Sequence, residues 1–546
     1  MPKPRRLRPP YKAMIVAPQP EATEAGLDIL QAGGNALDAV IACALTQGVV
    51  DPMMCGVGGL GSLHLFDPES GQNLVFDGLS TCPSACRAEM WTKLFERECS
   101  DGYGYVLKGG VNELGHAAVT TPGIMGVFGE AHAAFGKLPF AELFGPAIGH
   151  AEHGWVVRPH VATMFGLDEA AYGRQPMLKK LAFTQDGRSL YLRPDGTPKR
   201  VGDSVRNPDL GATLRSLARE GAESFYTGEL ARRIVEDMRR HGGPMTLEDL
   251  ANFKVQRRAP LKVGYRGRVV ATPPPPGGGI MVAEMLRILE GFELADAGLS
   301  QSDRIHLHAE ATKAAYRLRN ILVADPDHHP LDIGAVLCDE AIAKLRAPIS
   351  LDKAQELSAW DGPEHRDTIY LCVVDKDRNA ISFINSLFAA FGSGIYAPKS
   401  GVLLQNRGTG FRVERGHRNA IAPRKRPLHT IIPGMLSRNG RAVMPFGVMG
   451  GQFQAAGHAH IVSRILDCGD DPQQASDYPR SFSIDGVLSL EPTIAESVRQ
   501  DLEKRGHRTA IAPDPLGGCQ AIWIDERRGV LFGGSDHRKD GMALGY

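Results

Sequence analysis

Hydrophobic and polar positions switch between two periods along this chain. Apolar residues recur at helical spacing from Pro20 to Ala32, Gly33-Gly34 stops the run, and Asn35 can cap a second helix. That second run, Ala36 to Thr46, is small and apolar, which suits a helix packed tightly against a sheet. Strand-like stretches flank the pair, Tyr11 to Ala17 before it and Ser62 to Phe66 after it. Helical spacing returns over residues 88–99, 126–154 (broken near Gly136 and Pro139), 209–220 and 228–240, and Thr246 opens a short capped turn. Val263 to Thr272 reads as a strand. Pro273 to Gly279 reads as a tight loop, because helical runs follow at once, Met281 to Leu289 and then Asp303 to Val323. Residues 324–367 have little periodicity and form the natural place for a cut in the chain. From Thr368 onward strands dominate: 369–374, 380–384, 401–405, 442–446, 520–524 and 529–533. Asp375 to Asn379 makes a turn, and helices cover Gln452 to Leu466 and Thr493 to Arg505.

Gly56-Val57-Gly58-Gly59-Leu60-Gly61 fits the spacing of a dinucleotide fingerprint but lies in the wrong context. Such a fingerprint follows a strand and opens a helix, whereas this one follows a helix and precedes a strand. Close backbone packing is the better reading. At 546 residues, with 62 basic and 62 acidic side chains, the chain can bury a large core and needs neither nucleic acid nor an anionic membrane as partner. Arg424-Lys425-Arg426, the one dense basic run, reads as a solvated loop. Nine scattered cysteines without a CxxC pair suggest buried thiols in a reducing compartment. There is no HExxH, and His328-His329 sits in a turn-like setting, so no metal ligand and no cofactor is expected. The basic N-terminus (Lys3, Arg5, Arg6, Arg8) runs into Pro9-Pro10 without an apolar stretch, so the expectation is a soluble cytoplasmic protein with no membrane partner.

Several motifs in fixed order carry a more specific signal. They are Glu21-Ala22-Thr23-Glu24-Ala25-Gly26 with Gly33-Gly34-Asn35-Ala36-Leu37-Asp38-Ala39, then Val119-Thr120-Thr121-Pro122-Gly123, then Gly136-Lys137-Leu138-Pro139. The Pro-Pro-Gly-Gly loop, Ala422-Pro423-Arg424-Lys425-Arg426-Pro427 and the terminal Gly534-Ser535-Asp536-His537-Arg538 complete them. In these the chain resembles, nearly end to end, the gamma-glutamyltransferase (glutathione hydrolase) family of N-terminal-nucleophile hydrolases. The resemblance implies an α/β (α+β) fold, the four-layer αββα sandwich, and an inactive precursor that cuts itself between Asp367 and Thr368. A large subunit, 1–367, and a small catalytic subunit, 368–546, then stay together as a heterodimer, which can pair further.

The chemistry follows from the residue types. Cutting before Thr368 frees an α-amine, of ordinary pKa about 7.7–8.0, on the same residue as the hydroxyl it must activate. The hydroxyl attacks an amide carbonyl, an acyl-enzyme forms, and water or another amine takes the acyl group. By resemblance, Gly450 and Gly451 supply N–H donors to the oxyanion. Ser386 stands where the family has a threonine that hydrogen-bonds the nucleophile.

The substrate positions depart from the family pattern. The arginine that pairs with the γ-glutamyl carboxylate falls near Leu79, and an asparagine has become Phe388. The amide-and-acid segment reads Gln405-Asn406-Arg407-Gly408-Thr409-Gly410, with glycine at the acidic position, and a serine pair has become His429-Thr430. Without the acid a buried ammonium is not compensated, and Arg407 repels it. Arg407 can instead clamp a carboxylate, with His429, Thr430, Asn406 and Phe388 around it. These changes resemble the subgroup that contains oxamate amidohydrolase and cephalosporin acylases. A self-processing threonine amidohydrolase is therefore expected, acting on a carboxylate-bearing amide such as oxamate or on glutathione and γ-glutamyl compounds, with hydrolysis favoured over transfer. The alternatives are a non-catalytic family member acting as a scaffold and, on the glycine run alone, a nucleotide-dependent oxidoreductase.

Overall fold

The computed structural model describes residues 12–98, 105–166, 175–356, 368–484 and 486–546. The strand Ile369–Val374 lies inside the larger of two main sheets, between Met14–Ala17 and Ala380–Ser386, antiparallel to both. That sheet runs Met542–Gly545, Met14–Ala17, Ile369–Val374, Ala380–Ser386, Leu60–Asp67, Gln72–Gly78, Gln256–Arg258. The second runs Val530–Ser535, Gly518–Asp525, Arg441–Met449, Gly434–Arg438, Arg268–Thr272, Leu261–Tyr265.

Ile369–Val374 is apolar at every position because both its faces are covered. Tyr370, Cys372 and Val374 point into the cluster between the sheets, where they join Ala271, Met435, Met449 and Ile522 of the second sheet. Ile369, Leu371 and Val373 point the other way, into a core shared with the helices Pro20–Gln31, Ala36–Val50 and Ile124–Phe135. The outer face of the second sheet packs likewise on Gly279–Leu289, Gln301–Leu322 and Phe453–Leu466. Helices, sheet, sheet and helices give the four αββα layers. Each large side chain buried there contributes about 1.5–3 kcal/mol.

Ala36–Val50 is buried nearly all round, and its start is held from two directions. Asn35 and Asp38 form a reciprocal capping box, and the Asp375 carboxylate accepts from Ala36 N at 3.0 Å. Asp375 also closes its own turn, accepting from Asp377 N and Asn379 N. One carboxylate thus ties the end of the Ile369–Val374 strand to the central helix. The glycine run packs as expected: a Cβ on Gly58 would lie 2.2 Å from Leu403 O, and one on Gly59 2.7 Å from Ser386 O. Cys43, Cys55, Cys82, Cys86, Cys372 and Cys519 are buried free thiols. No helix among the described residues is long and apolar enough to cross a membrane.

Four expectations are corrected. Within 88–99 only Glu89–Thr92 is α-helical, and Phe95–Glu98 pairs with Tyr105–Leu107, because a partner strand and the Trp91–Tyr105 cluster outweigh local helical spacing. Residues 263–272 are not one strand but part of a hairpin, turned at Arg266-Gly267, both with positive φ. Residues 401–405 form no strand. They fold back on Ser393–Ala397 through single bonds such as Leu404 N to Ile395 O at 2.9 Å, with Gly394 and Gly401 at positive φ interrupting any ladder. In Arg424-Lys425-Arg426 only Arg424 is exposed. Lys425 donates to the Ala420 carbonyl, and Arg426 meets Asp325 at 2.6 Å and Asp327 at 2.8 Å, so two of the three cations pin a loop inside the protein.

Candidate active site

Thr368 stands at the entry of the Ile369–Val374 strand and is buried. Its hydroxyl oxygen accepts from Gln454 Nε2 at 3.2 Å. Ile369 is in register with Asn385, so one step further along the ladder Ser386 falls opposite Thr368. Ser386 Oγ accepts from Phe388 N at 2.9 Å, which turns the chain out of the strand Ala380–Ser386 toward Phe388. Asp367, the other half of the expected cleavage site, lies outside the described residues.

Gly450 and Gly451 follow the strand Arg441–Met449, which faces Ile369–Val374 across the sandwich. The two strands approach closely because Gly447 has no side chain: a Cβ there would lie 2.3 Å from the Tyr370 ring. Ser382 Oγ adds a bridge to Phe446 O at 3.3 Å. Gly450 and Gly451 have φ of +116° and +52°, a region that favours glycine. Their carbonyls accept from Phe453 N and Gln454 N, starting the helix Phe453–Leu466, and neither glycine N–H takes part in a loop or cap hydrogen bond among the described residues. Two N–H groups at a helix start, one turn from Gln454 and its threonine partner, suit a developing oxyanion.

The terminal motif supports this loop from behind. Gly450 abuts Gly517, whose Cα would be 2.7 Å from a Cβ at 450. Residues 516–519 are held in turn by buried charges. Arg480 donates to Leu516 O at 2.7 Å and to the Asp536 carboxylate, and Asp536 accepts from Cys519 N at 2.7 Å. Arg538 pairs with Asp536 at 3.2 Å and with Glu491 at 2.6 Å. Burial alone would raise the Asp536 carboxyl, but Arg480, Arg538 and the backbone donors bring it down to about 2.

Two of the positions that depart from the family pattern, Phe388 and Arg407, meet next to Ser386. Arg407 opens the short turn Arg407–Gly410 and is buried. Its guanidinium carbon sits 4.2 Å from the centre of the Phe388 ring, and one nitrogen donates to Leu428 O. Phe388 has φ +77°, unusual for a bulky residue, which stations its ring under that guanidinium. His429 follows Leu428. Its backbone N donates to Pro276 O at 2.8 Å, while its ring is fully buried and neither ring nitrogen has a hydrogen-bond partner among the described residues. Burial, then the charges of Arg407 and Arg426, hold this imidazole well below its ordinary value, so it is neutral at pH 7. Thr430 is buried next to it in sequence. The Asn406 amide is committed to the backbone, accepting from Ala389 N at 3.1 Å and donating to Glu113 O at 2.9 Å, so it shapes the turn. Leu79 packs between the sheets.

Three contributors were given no role from sequence. Gln454 follows the glycine pair by three residues, a spacing that could have flagged it. Gln405 anchors the Arg407 turn, its amide nitrogen donating to Thr120 Oγ1 at 2.7 Å and its oxygen accepting from Arg407 N. Asp536 was a landmark without a role, and only the fold shows what it holds.

The family model described as Gamma-glutamyltranspeptidase matches residues 22–546. The chain is 35% identical over 541 residues to the acylase ACY 1 proenzyme of Pseudomonas sp. (strain V22), covering 98% of this chain and 93% of the relative. It is 32% identical over 543 residues to the oxamate amidohydrolase proenzyme of Klebsiella pneumoniae subsp. pneumoniae, covering 98% of each. It superposes on the crystal structure of cephalosporin acylase from Bacillus halodurans with a TM-score of 0.88 at 35% identity, covering 100% of this chain and 98% of that one.

Proposed function

Because the chain belongs to the gamma-glutamyltranspeptidase family, as a proenzyme amidohydrolase, we propose that it cuts itself between Asp367 and Thr368 and then hydrolyses small amides whose acyl part carries a carboxylate. The freed α-amine of Thr368 takes the proton from its own hydroxyl, directly or through a water. The oxygen attacks the amide carbon, and the oxyanion faces the N–H groups of Gly450 and Gly451. Collapse breaks the C–N bond, the proton passes to the leaving nitrogen, and ammonia or an amine departs. Water then opens the Thr368 ester and releases the acid. Gln454 and Ser386 orient the hydroxyl.

The observation that carries the substrate class is the His429 ring, neutral, buried and unpartnered, beside the Arg407 charge. An unpaired buried polar group costs about 1–3 kcal/mol, which a bound acceptor returns. A substrate carboxylate accepts from both His429 and Arg407. A γ-glutamyl ammonium meets a cation instead, with glycine at 410 where the family pattern has an acid. Oxamate, the substrate named for one relative, has an amide next to a carboxylate and fits this description.

The test is a substrate profile of the processed enzyme. Oxamate and monoamides of longer dicarboxylic acids are compared with glutathione and other γ-glutamyl compounds, for wild type and Arg407→Ala. The expected result is higher kcat/KM for the carboxylate-terminated amides and a KM raised about tenfold or more in the variant. A preference for glutathione that survives the substitution would sink the reading.

A further inference from the structure

We infer that His116, Asp237 and His241 form a binding site for a divalent transition metal of the zinc class, on the surface and separate from Thr368. His116 opens the turn His116–Ala118. Asp237 lies on the helix Glu229–Arg240, and His241 caps that helix four residues later. Residues four apart on a helix share a face, so Asp237 and His241 present their donors side by side. His116 Nε2 stands 2.7 Å from one Asp237 oxygen and His241 Nδ1 3.2 Å from the other. The two rings stack with centroids 4.5 Å apart and planes 17° apart, and all three donor atoms lie within 4.8 Å of one another.

Three features separate this group from an ordinary pair of hydrogen bonds. Donors on a tetrahedral zinc ion stand about 3.3 Å apart, and the spacings here, from 2.7 Å up to within 4.8 Å, bracket that value. The Asp237 carboxylate has no lysine or arginine partner among the described residues, only the two histidines, so its charge is uncompensated when both rings are neutral. His241 is half exposed while His116 and Asp237 are mostly covered, which leaves one open side for ion entry and water ligands. Two imidazoles and one carboxylate favour zinc, cobalt or nickel over magnesium or calcium. A second cluster, His306, Glu310 and His507, lacks these features. There both His306 ring nitrogens are bonded, to His507 at 2.7 Å and to Ser350 O at 2.6 Å, and Glu310 is paired with Lys313, whereas at the first site His241 Nδ1 makes one backbone contact, to Asp237 O at 3.0 Å, that an ion would displace.

The site connects to the Arg407 turn through a short run of backbone. Gly115 N donates to Ser393 O at 2.8 Å, the Ala118 carbonyl lies directly under Gly408, and Thr120 holds Gln405. An ion joining His116 to the helix Glu229–Arg240 therefore braces the segment that cradles that turn. The test uses the processed enzyme without a histidine tag, stripped with a chelator and titrated with zinc chloride in a calorimeter. Thermal melts and cobalt(II) absorption are recorded alongside, for wild type, His241→Ala and Asp237→Asn. We expect one zinc per molecule, a raised melting temperature, cobalt d–d bands, and at least about tenfold weaker binding in each variant, with no response to magnesium or calcium. Absence of stoichiometric zinc binding overturns the site. So does zinc affinity unchanged in both variants, which would place the ion elsewhere.

Discussion

Asp536→Asn tests whether the buried charges behind the glycine loop hold the site together. Asp536 is 1% exposed and accepts from Arg480, Arg538, Cys519 N and Ser476 Oγ. Its carboxyl lies at about 2 in the fold against an ordinary 3.8, a difference worth about 2 kcal/mol of stability. A depressed carboxyl contributes fully above its unfolded value and loses that contribution as pH falls through the folded one. The full amount is therefore present at pH 7, and about half remains at pH 3. Asparagine keeps the shape but leaves Arg480 and Arg538 facing a neutral group, and breaking one side of a buried ion pair typically costs about 3–5 kcal/mol. Urea denaturation of the processed enzyme should show the variant about 3 kcal/mol less stable at pH 7, with the gap narrowed by about 1 kcal/mol at pH 3. The variant should also lose turnover, because residues 516–519 no longer press Gly450 into place. A gap below about 1 kcal/mol, or one of the same size at both pH values, would refute the argument.

Thr368→Ala should remain a single 546-residue chain by intact mass and turn over no amide, whereas a wild-type cut anywhere but before Thr368 would misplace the nucleophile. If the α-amine of Thr368 is the base, kcat/KM should rise with pH through about 7.7–8.0, and a flat profile between pH 6 and 9 would assign the proton to another group. Gly447→Ala drives a methyl to within 2.3 Å of the Tyr370 ring. It should destabilise the enzyme by about 1–3 kcal/mol in urea, and an unchanged midpoint would mean the two sheets can part freely.

Much of this protein was legible in its sequence because its strongest signals are local. Asn35 and Asp38 announce the central helix by a cap that needs only neighbours in the chain. The apolar run after Thr368 announces a strand, which the fold then covers on both faces. The motif order marks the family, and with it the four layers that periodicity alone does not reveal. The misreadings occur where partners lie far away in sequence. Residues 88–99 had helical spacing until a partner strand took Phe95–Glu98, and Lys425 and Arg426 read as solvated until Asp325 and the Ala420 carbonyl appeared beside them. The same holds for Gln454 on the Thr368 hydroxyl and for His116 beside Asp237, 121 residues apart. Local propensities differ by less than about 1 kcal/mol per residue, whereas pairing a strand or burying a charge shifts the balance by more. The sequence by itself therefore determined the elements with strong local periodicity and, through the order of its motifs, the family to which the chain belongs. Only the tertiary structure decided which distant side chains satisfy one another, because those energies exist only once the chain has closed on itself.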